Sequence, residues 1–461
     1  MRALYVQHRA FQKLFPVKIP ELGQAVRPFD YLVTAKVPEG LLAYQTALCS
    51  LVLLEGEEQA LLQGGALPQE PSETLRFLVE NRFLVTAEHD DYSFCQTVRT
   101  GAKLIQRLTE KEEGYGGFTI LTTTACNARC FYCFEKGVRT ETMTPETAAA
   151  VADFILKEGN PEHVRLAWFG GEPTVNERVI DQITGLLADA GREYASSMIS
   201  NGYLMDEKMA KKAAEQWKLK NIQITLDGTE KIYNERKSYV GVRGSAFQTV
   251  MNNIGFLLDA GIEVSIRLNV DTENTEDLCM LAGQLRERFS EKKMLSVYAN
   301  MLFDDDGLPS SHDERLLAAR KVRQHLEELG FGSRSTLDHF PKAYNCMADS
   351  GSGPVIMPDG SLKSCEHINM APSWGSVFRA ERRPEEENAY WNEQHPEQPE
   401  CRDCASYPAC IRLKHCEPTP AVCTEVMREE SCRKLSDSLL KTWERIREGR
   451  QDEEKTDEPC S

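Results

Sequence analysis

A regular alternation of strand-like and helix-like segments, from about residue 117 to about residue 330, most constrains how this 461-residue chain can fold. Six apolar strand-like runs are each followed by a segment with helical periodicity. Because strands that alternate with helices pair in parallel through right-handed crossovers, the pattern predicts an α/β domain whose sheet curls into a partial (β/α)6 barrel. The predicted strands are 118–124, 164–170, 197–201, 221–228, 262–270 and 294–301, and the predicted helices are 145–157, 175–191, 206–217, 246–260, 274–288 and 312–329.

An N-terminal α+β module, residues 1–105, precedes this TIM-like barrel, which we place at 115–335. Residues 29–36 have strand character, and residues 74–85 are typical of a short helix that runs into a strand. This order is compatible with a winged-helix-like module. An unspecialised α+β cap on the barrel would explain it equally well.

A Cys-rich domain is predicted at residues 340–435, where regular periodicity fades and Cys, Pro and Gly dominate. A segment with so little apolar core can fold when metal ligation supplies the free energy. Residues 433–446 are typical of a short amphipathic helix. Residues 447–461 form a charged tail that we expect to be disordered.

The net charge of the chain limits its partners. Its 54 Lys and Arg residues are outnumbered by 71 Asp and Glu residues, giving a formal charge of −17, which argues against broad binding to nucleic acid or to an anionic membrane. The longest apolar-leaning run, 41–54, is too short to span a bilayer, and the N-terminus shows no secretory signal. We therefore expect a cytoplasmic protein with no nucleic-acid or membrane partner.

The 15 cysteines are distributed unevenly. Eight lie between Cys346 and Cys432, where even scattering would place about three. A disulfide scaffold would need an oxidising compartment, whereas zinc would suit the Cys401-x2-Cys404 spacing taken alone. Four cysteines are isolated and are expected to serve packing or to be free thiols, namely Cys49, Cys95, Cys279 and Cys460.

Three cysteines with C-x3-C-x2-C spacing, Cys126, Cys130 and Cys133, lie just after the first predicted barrel strand. We call them the cysteine trio. Three thiolates can hold three irons of a [4Fe–4S] cubane and leave the fourth iron open to an outside ligand. A purely structural site would be closed, so the missing ligand indicates function.

The trio, with Tyr132 before its last cysteine and the Gly170-Gly171-Glu172-Pro173 segment after the second strand, resembles the radical S-adenosylmethionine (SAM) superfamily. The resemblance implies that the open iron binds SAM and that reductive cleavage gives a 5′-deoxyadenosyl radical, which abstracts hydrogen from a substrate. It also implies that the GGEP segment contacts the amino group of SAM. From the residues themselves, the glycines allow a close backbone approach and Glu172 offers a carboxylate to an ammonium group.

Polar residues at later strand ends are expected to complete the SAM site, with ordinary loop capping as the alternative for each one. The resemblance places a hydroxyl and an arginine near the SAM carboxylate, where Arg236 fits and Lys237 is the competing register. Buried polar groups at the fifth strand's end need partners, and the ribose hydroxyls of SAM are suitable ones. The expected SAM contacts are Tyr132, Gly170, Gly171, Glu172, Pro173, Ser200, Asn201, Thr225, Asp227, Arg236, Arg267 and Asn269.

The C-terminal cysteines resemble the SPASM extension of radical SAM enzymes that modify peptides and proteins, which carries two auxiliary [4Fe–4S] clusters. The family usually has C-x3-C where this chain has Cys410-x5-Cys416. By analogy, auxiliary cluster II uses Cys401, Cys404, Cys410 and Cys432, and auxiliary cluster I uses Cys346, Cys365, Cys416 and, as its candidate fourth ligand, Cys423. Without Cys423 that cluster is open, and a substrate thiolate can bind there.

These features favour a maturase of a ribosomally made precursor peptide (a RiPP), with thioether crosslinking, auxiliary clusters that accept an electron, and flavodoxin or ferredoxin as the reductant. The N-terminal module would then bind a leader peptide as an added strand. An anaerobic sulfatase maturase that makes formylglycine is the alternative, in which Glu366 takes the place of a catalytic Asp and acts as a general base. Glu366 is otherwise a surface carboxylate. A non-catalytic iron–sulfur electron carrier is the third interpretation.

Overall fold

A computed structural model gives the structure of the chain. It describes residues 1–5, 15, 17, 20–21, 23–109, 114–242, 244–291, 293–302, 309–331, 337–367, 372–379, 381 and 383–456. Cys460 and the end of the predicted charged tail lie outside these residues.

The described residues of the N-terminal module form two small antiparallel sheets, two α-helices and a 3-10 helix, Gly56–Gln63. A four-stranded sheet has the order β1-β5-β4-β3, and a three-stranded sheet has the order β6-β2-β7. The predicted helix and strand at 74–85 are present, whereas two strands in the apolar run 41–54 were not predicted. The elements are β1 (Arg2–Tyr5), β2 (Ala25–Pro28), β3 (Leu32–Val37), β4 (Gly40–Gln45), β5 (Ser50–Leu54), β6 (Gly65–Ala66), α1 (Glu73–Glu80), β7 (Leu84–Thr86) and α2 (Asp91–Thr109).

The predicted partial barrel is present. Its six parallel strands follow one another in the sheet in chain order, and within the described residues the first and last strands do not pair, so the barrel is open. The strands are β8 (Gly117–Thr123), β9 (Val164–Gly170), β10 (Tyr194–Ser200), β11 (Leu219–Leu226), β12 (Glu263–Val270) and β13 (Leu295–Met301).

Helices connect these strands and cover the outer face of the sheet. The structure contains one short helix, Glu230–Lys237, that was not predicted, because its only buried residues are Tyr233 and Lys237 and it therefore shows no apolar stripe. The helices are α3 (Pro145–Glu158), α4 (Glu177–Asp189), α5 (Glu207–Glu215), α6 (Glu230–Lys237), α7 (Ala246–Asp259), α8 (Thr275–Arg288) and α9 (Pro309–Glu328).

Side chains alternate between the two faces of the barrel strands. On β11, Ile222 and Ile224 are fully buried in the main apolar core, which includes residues of the surrounding helices. Gln223 and Thr225, at the intervening positions, are only partly buried. The concave inner face is therefore polar and accessible, which suits a site rather than a second core.

The C-terminal domain is attached directly to the barrel sheet. Its strand β14 (Val355–Ile356) pairs in parallel with β8 through Val355 and Thr119 and through Ile356 and Ile120. The domain therefore extends the same sheet beside the strand that leads into the cysteine trio. Its other elements are α10 (Met347–Ser350), β15 (Ser361–Lys363), β16 (Gly375–Ser376), α11 (Glu385–Asn392) and α12 (Glu425–Thr456).

The last helix is longer than the predicted helix at 433–446. It begins at Glu425 and continues to Thr456, so the tail expected to be disordered from residue 447 is helical at least to that point. Charged residues such as Glu, Lys and Arg have high helix propensity, and a charge-rich segment can therefore continue an anchored helix. Among the described residues, none of the helices combines the length and the apolar character needed to cross a bilayer.

Candidate active site

The cysteine trio lies on the loop that follows β8, and neighbouring segments hold this loop in place. The amide of Arg129 donates to the carbonyl of Lys237 at 2.9 Å, and the amide of Val240 donates to the carbonyl of Asn127 at 2.8 Å. The loop is thereby attached to the end of α6 and to the residues after it. The trio consequently lies at the carboxyl edge of the sheet, where active sites of such barrels are found.

The two glycines of the GGEP segment allow close approach to the chain that enters the trio. A Cβ atom on Gly170, whose φ is +116°, would lie 2.2 Å from the carbonyl oxygen of Thr123, and one on Gly171 would lie 2.6 Å from that of Ala125. The amides of Gly171 and Glu172 donate to these same two carbonyls at 3.0 and 2.9 Å. The glycines therefore fix the position of the trio, and a contact with SAM remains a prediction.

The carboxylate of Glu172 is fully buried. It accepts hydrogen bonds from the amide of Thr174 at 3.2 Å, the hydroxyl of Ser200 at 2.9 Å and the amide of Asn201 at 2.8 Å. Burial raises the pKa of Glu172, and these bonds oppose that effect. The side chain of Glu172 thus joins the ends of β9 and β10, and its contact with the ammonium group of SAM stays a prediction.

Five of the residues named in the sequence analysis form one buried polar network at the ends of β11 and β12. The ammonium of Lys237 donates to the hydroxyls of Tyr132 at 2.8 Å and Thr225 at 2.7 Å, and lies 3.1 Å from the carboxylate of Asp227. Tyr132 also donates to Asp227, and the amide of Asn269 donates to the other oxygen of that carboxylate at 3.0 Å. The network brings charged groups close to the trio.

Lys237, and not Arg236, is the cation of this network. Burial is the largest single effect and acts against its charge, but Asp227, Tyr132 and Cys130 together outweigh burial and raise the pKa of Lys237 well above its ordinary value. Arg236 instead pairs with Asp271 and lies over the ring of Phe131, 4.8 Å from its centroid. Successive residues of α6 point about 100° apart, so Arg236 and Lys237 do not both face the network. The geometry favours Lys237, the competing register of the sequence analysis.

Arg267 lies beside Thr225 of this network, at the register position two residues before Asn269 on β12. It is also in register with Tyr298 on β13. Within the described residues, its buried Nε atom has no hydrogen-bond partner. Arg267 is therefore a partly buried cation on the inner face of the barrel, and its contact with SAM stays a prediction.

Two polar residues near the network were not named in the sequence analysis. The amide of Asn274 donates to the carbonyls of Asp227 at 3.0 Å and Asn269 at 2.8 Å and so joins the ends of β11 and β12. Within the described residues, the buried oxygens of Glu135 have no hydrogen-bond partner, and burial raises the pKa of this carboxyl to about 7. Asn274 could have been predicted as the N-cap of α8. Glu135 could not have been predicted, because nothing in the sequence distinguishes it from the other charged residues of its loop.

The residues present suit an iron–sulfur cluster. Burial raises the pKa of Cys126 to about 11 and also raises that of Cys133, while Lys237 acts on Cys133 in the opposite direction. A nearby cation would stabilise the net negative charge of a cluster bound by thiolates. Within the described ranges, no three His, Cys, Asp or Glu side chains converge as they do around a single metal ion, and a cubane differs in spreading its ligands over separate irons.

The C-terminal cysteines form two groups. Electrostatic interactions connect Cys346 with Cys416, and Cys365 with both. In the second group the thiols of Cys404 and Cys432 share a hydrogen bond, and electrostatic interactions connect Cys404 with Cys410 and Cys410 with Cys401. The ligand sets of the two auxiliary clusters stay predictions.

Cys423 is the eighth of these cysteines. Its amide donates to the side-chain oxygen of Gln398 at 2.7 Å, and the backbone carbonyl of Gln398 accepts a hydrogen bond from the amide of Cys401 at 2.9 Å. That Cys423 completes auxiliary cluster I stays a prediction.

Glu366 lies where the two cysteine loops meet. It follows Cys365, and the next residue, His367, stacks on Phe134 with ring centroids 4.6 Å apart. Phe134 directly follows Cys133 of the trio, so the loop of Cys365 contacts the loop of the trio. Glu366 itself is partly buried, and its position is compatible with a role near the reacting groups.

The open barrel, the three-thiol loop at its carboxyl edge and the buried cation beside it suit a protein that uses an iron–sulfur cluster with SAM. Residues 120–285 match the family model described as the radical SAM superfamily. The chain thus contains a radical SAM domain, which confirms the resemblance inferred from the trio. Such a domain implies a [4Fe–4S] cluster and SAM.

Other comparisons are more distant. A GTP 3′,8-cyclase of Shewanella denitrificans is 26% identical over 147 residues, which cover 31% of this chain and 40% of that relative. Native anSMEcpe with bound AdoMet has a TM-score of 0.53 at 17% identity, over 72% of this chain and 100% of that one. Streptococcus suis SuiB bound to precursor peptide SuiA gives a TM-score of 0.47 at 11% identity, over 84% of this chain and 94% of that one. The similarity to the anSMEcpe structure supports the fold.

Proposed function

We propose that this chain is a radical SAM enzyme that oxidatively modifies a peptide or protein, with thioether crosslinking of a precursor peptide as its reaction. The observation that carries the proposal is the attachment of the Cys-rich domain to the trio. Strand β14 pairs with β8, and His367 stacks on Phe134. Auxiliary clusters in that domain would therefore lie on the same side of the barrel as the radical SAM cluster.

Residues at the strand ends would hold the cofactors. The trio would bind three irons of the cluster. Lys237 would exchange one of its three protein contacts for the carboxylate of SAM, with help from Thr225. Glu172 would act indirectly, by holding Ser200 and Asn201. Bound there, the cluster and SAM supply a 5′-deoxyadenosyl radical for hydrogen abstraction, and the auxiliary clusters supply an acceptor for the electron that the substrate loses.

The inner face of the barrel would hold the substrate residue. Ile199 and Tyr298, which alternate with buried residues on β10 and β13, are 38% and 37% exposed. Arg267 lies beside Tyr298 on this face. An apolar side chain, a phenol and a cation on one accessible surface suit a peptide better than a small apolar molecule.

The N-terminal module would hold a leader peptide. Strand β3 is the last strand of its sheet, so one of its edges can accept an added strand. A cavity of about 620 Å³ lies beside it, lined by Leu32 and Thr34 of β3 and by residues such as Arg27 and Leu62. Flavodoxin or ferredoxin would be the reducing partner.

A second reaction, formylglycine formation, is favoured by the position of Glu366 next to the trio loop. That carboxylate could accept a proton from a Cys or Ser of the substrate. A structure of anSMEcpe with bound AdoMet and a Cp18Cys peptide has a TM-score of 0.52 with 18% identity to this chain. The fold is thus one on which a SAM site and a bound peptide occur together.

Anaerobic reconstitution with iron and sulfide, followed by reduction in the presence of SAM, tests the proposal. We expect about twelve irons per chain, four for each of three [4Fe–4S] clusters, and formation of 5′-deoxyadenosine. A non-catalytic electron carrier would bind iron without cleaving SAM, and this result would overturn the proposal.

Mass spectrometry of a candidate substrate then separates the two reactions. A short Cys-rich peptide encoded beside the gene should lose two hydrogens and keep its sulfur if a thioether forms. A sulfatase-derived peptide that loses sulfur and gains oxygen would show formylglycine formation instead. Changing Glu366 to Gln should impair the second reaction more than the first.

A further inference from the structure

The inner face of the barrel carries a cation whose charge the chain leaves uncompensated. Arg267 of β12 is in register with Thr225 of β11 and with Tyr298 of β13. Its side chain is partly buried, and within the described ranges its buried Nε atom has no hydrogen-bond partner. A buried donor without a partner costs free energy, and the cost is larger for a charged group. The position therefore favours an anion that comes from outside the chain.

The side chains next to Arg267 on this face are neutral and bond with one another. Across β12 and β13, the hydroxyls of Ser265 and Ser296 share a hydrogen bond of 2.8 Å. The hydroxyl of Tyr298 donates to the side-chain oxygen of Gln223 on β11 at 2.5 Å. These four side chains hold the floor of the barrel in place, but none of them carries a negative charge that could neutralise the guanidinium.

Lys237 is also a cation near this face, and it differs from Arg267 in having a counter-ion. Its ammonium lies 3.1 Å from the carboxylate of Asp227 and donates to two hydroxyls. In the proposed function Lys237 serves the carboxylate of SAM. Because SAM has a single carboxylate, a second cation beside the network calls for a second anion, and a peptide can supply one.

Accessible apolar surface adjoins the cation. Ile199 of β10 is in register with Gln223 of β11, so it lies on the same face as Arg267 and one strand beyond Gln223, and it is 38% exposed. A surface that is cationic at one side and apolar at the other suits a carboxylate attached to a short carbon chain better than an inorganic anion. Such a group is typical of an amino acid residue.

We propose that Arg267 binds a carboxylate of the peptide substrate and thereby determines which residue enters the barrel. This inference rests on the proposed function, because it needs a peptide at the inner face. The carboxylate belongs either to an acidic side chain or to the C-terminal residue, and both present the same pair of oxygens to a guanidinium. Binding involves charge-assisted hydrogen bonds alone, and no covalent bond is formed or broken.

Chemical modification of the complete, reconstituted chain by p-hydroxyphenylglyoxal tests the inference. The reagent reacts with accessible guanidinium groups, and mass spectrometry after digestion measures the reaction at each arginine. Three small probes compete with it. The α-amide of N-acetylglutamate has only a side-chain carboxylate, N-acetylglutamine has only a main-chain carboxylate, and the amide of N-acetylglutamine has neither. Arg178, an exposed arginine on α4, is the control that none of the probes should protect.

At saturating concentration, one or both of the carboxylate probes should slow the modification of Arg267 several-fold, and the neutral amide should leave it unchanged. The probe that protects identifies the source of the carboxylate. Equal protection by all three probes, or by none of them, would overturn the inference. Failure of the reagent to modify Arg267 in any sample would also overturn it, because the guanidinium would then be inaccessible to a substrate.

Calorimetric titration separates a peptide carboxylate from that of SAM. The R267Q variant should bind SAM as the wild type does and should bind the protecting probe about 10- to 100-fold more weakly, since a hydrogen bond to a charged group contributes about 1.5–3 kcal/mol. R267K keeps the charge and should recover part of that affinity, and R178Q should match the wild type. Weaker binding of SAM by R267Q, with unchanged binding of the probe, would assign Arg267 to SAM and refute the inference.

Formation of 5′-deoxyadenosine by the reduced wild-type chain tests the proposed function separately. A chain that cleaves SAM without selective protection of Arg267 would keep the radical SAM activity and lose this inference. A chain that shows the protection without cleaving SAM would keep the carboxylate site and lose the proposed function. Circular dichroism shows whether the variants fold, and the modification experiment on the wild type does not depend on them.

Discussion

The barrel and the Cys-rich C-terminal domain position their cysteines in different ways. The barrel holds its trio by strand ends that rest on a large apolar core, in which residues such as Trp168 and Ile224 are fully buried. In the C-terminal domain the described strands are only two or three residues long, and its thiols are held by loop contacts such as that of Gln398 with Cys423.

The packed barrel forms the site of the trio by itself, whereas the proposed metal sites of the C-terminal domain would help that domain to fold. Burial of apolar surface stabilises the barrel whether or not a cluster is bound. A domain with little core depends on its metal–ligand bonds for folding free energy. The barrel should therefore survive loss of iron, and most of the C-terminal domain should not.

Removal of the trio gives the largest expected effect on activity and the smallest on the fold. In C126A/C130A/C133A, 5′-deoxyadenosine formation should fall to background, because no cluster remains to bind SAM. About eight of about twelve irons should stay bound. Iron analysis and chromatography of the nucleoside measure both results, with C279S as the control, and any turnover above background would contradict the site assignment.

Removal of all iron by a chelator should unfold the C-terminal domain selectively. Hydrogen exchange of residues 401–423 should become fast, whereas β8 to β13 should stay protected by their core. Strand β14 provides an internal control, because its pairing with β8 should keep it protected. Equal loss of protection in both domains would show that the barrel also needs metal.

Lys237 tests whether the buried network serves SAM. The K237M variant should bind SAM about 10- to 100-fold more weakly, since a hydrogen bond to a charged group contributes about 1.5–3 kcal/mol. It should also lose about 3–5 kcal/mol of stability, because the buried carboxylate of Asp227 would remain uncompensated.

Two further variants separate these effects. K237R keeps the charge and should recover part of the SAM affinity. R236Q leaves the largely buried carboxylate of Asp271 without its ion pair and should therefore also lower stability, by up to about 3–5 kcal/mol. If R236Q weakened SAM binding more than K237M did, the register inferred from the structure would be wrong. Calorimetric titration with SAM and thermal unfolding measure the two quantities.

Glu135 should make the iron-free barrel less stable as the pH rises. Its pKa is raised by burial from 4.5 to about 7, so between these values the folded chain holds a proton that the unfolded chain has lost. The contribution of Glu135 to the free energy of unfolding is therefore most favourable below pH 4.5. It declines by at most about 3 kcal/mol as the pH rises to about 7.

The E135Q variant tests this effect because it removes the titration. Its stability relative to the wild type should increase between pH 5 and pH 8, as measured by urea unfolding of the iron-free protein. The matched variant E141Q changes an acidic residue later in the same loop and should show no such trend. A flat difference for E135Q would indicate that water reaches the carboxyl.

The order of the barrel elements could be predicted because it is a local property of the chain. Apolar side chains at strand and helix periods specify β9 at 164–170 and α3 from 145, and both agree with the structure. The short helix α6 was missed because it lacks an apolar face. The end of α12 was missed because its charges were taken as a sign of disorder.

The sequence alone was also enough to predict the trio, because its three cysteines share one short loop after a strand of the barrel. Contacts between distant parts of the chain needed the tertiary structure. Only it showed that Lys237 and not Arg236 enters the network, that Glu172 accepts hydrogen bonds from protein donors, and that Gln398 joins the backbone at Cys423 to that at Cys401. The physical reason is that neighbouring residues on a helix or loop point in different directions, and packing against the rest of the molecule selects which of them reaches the site.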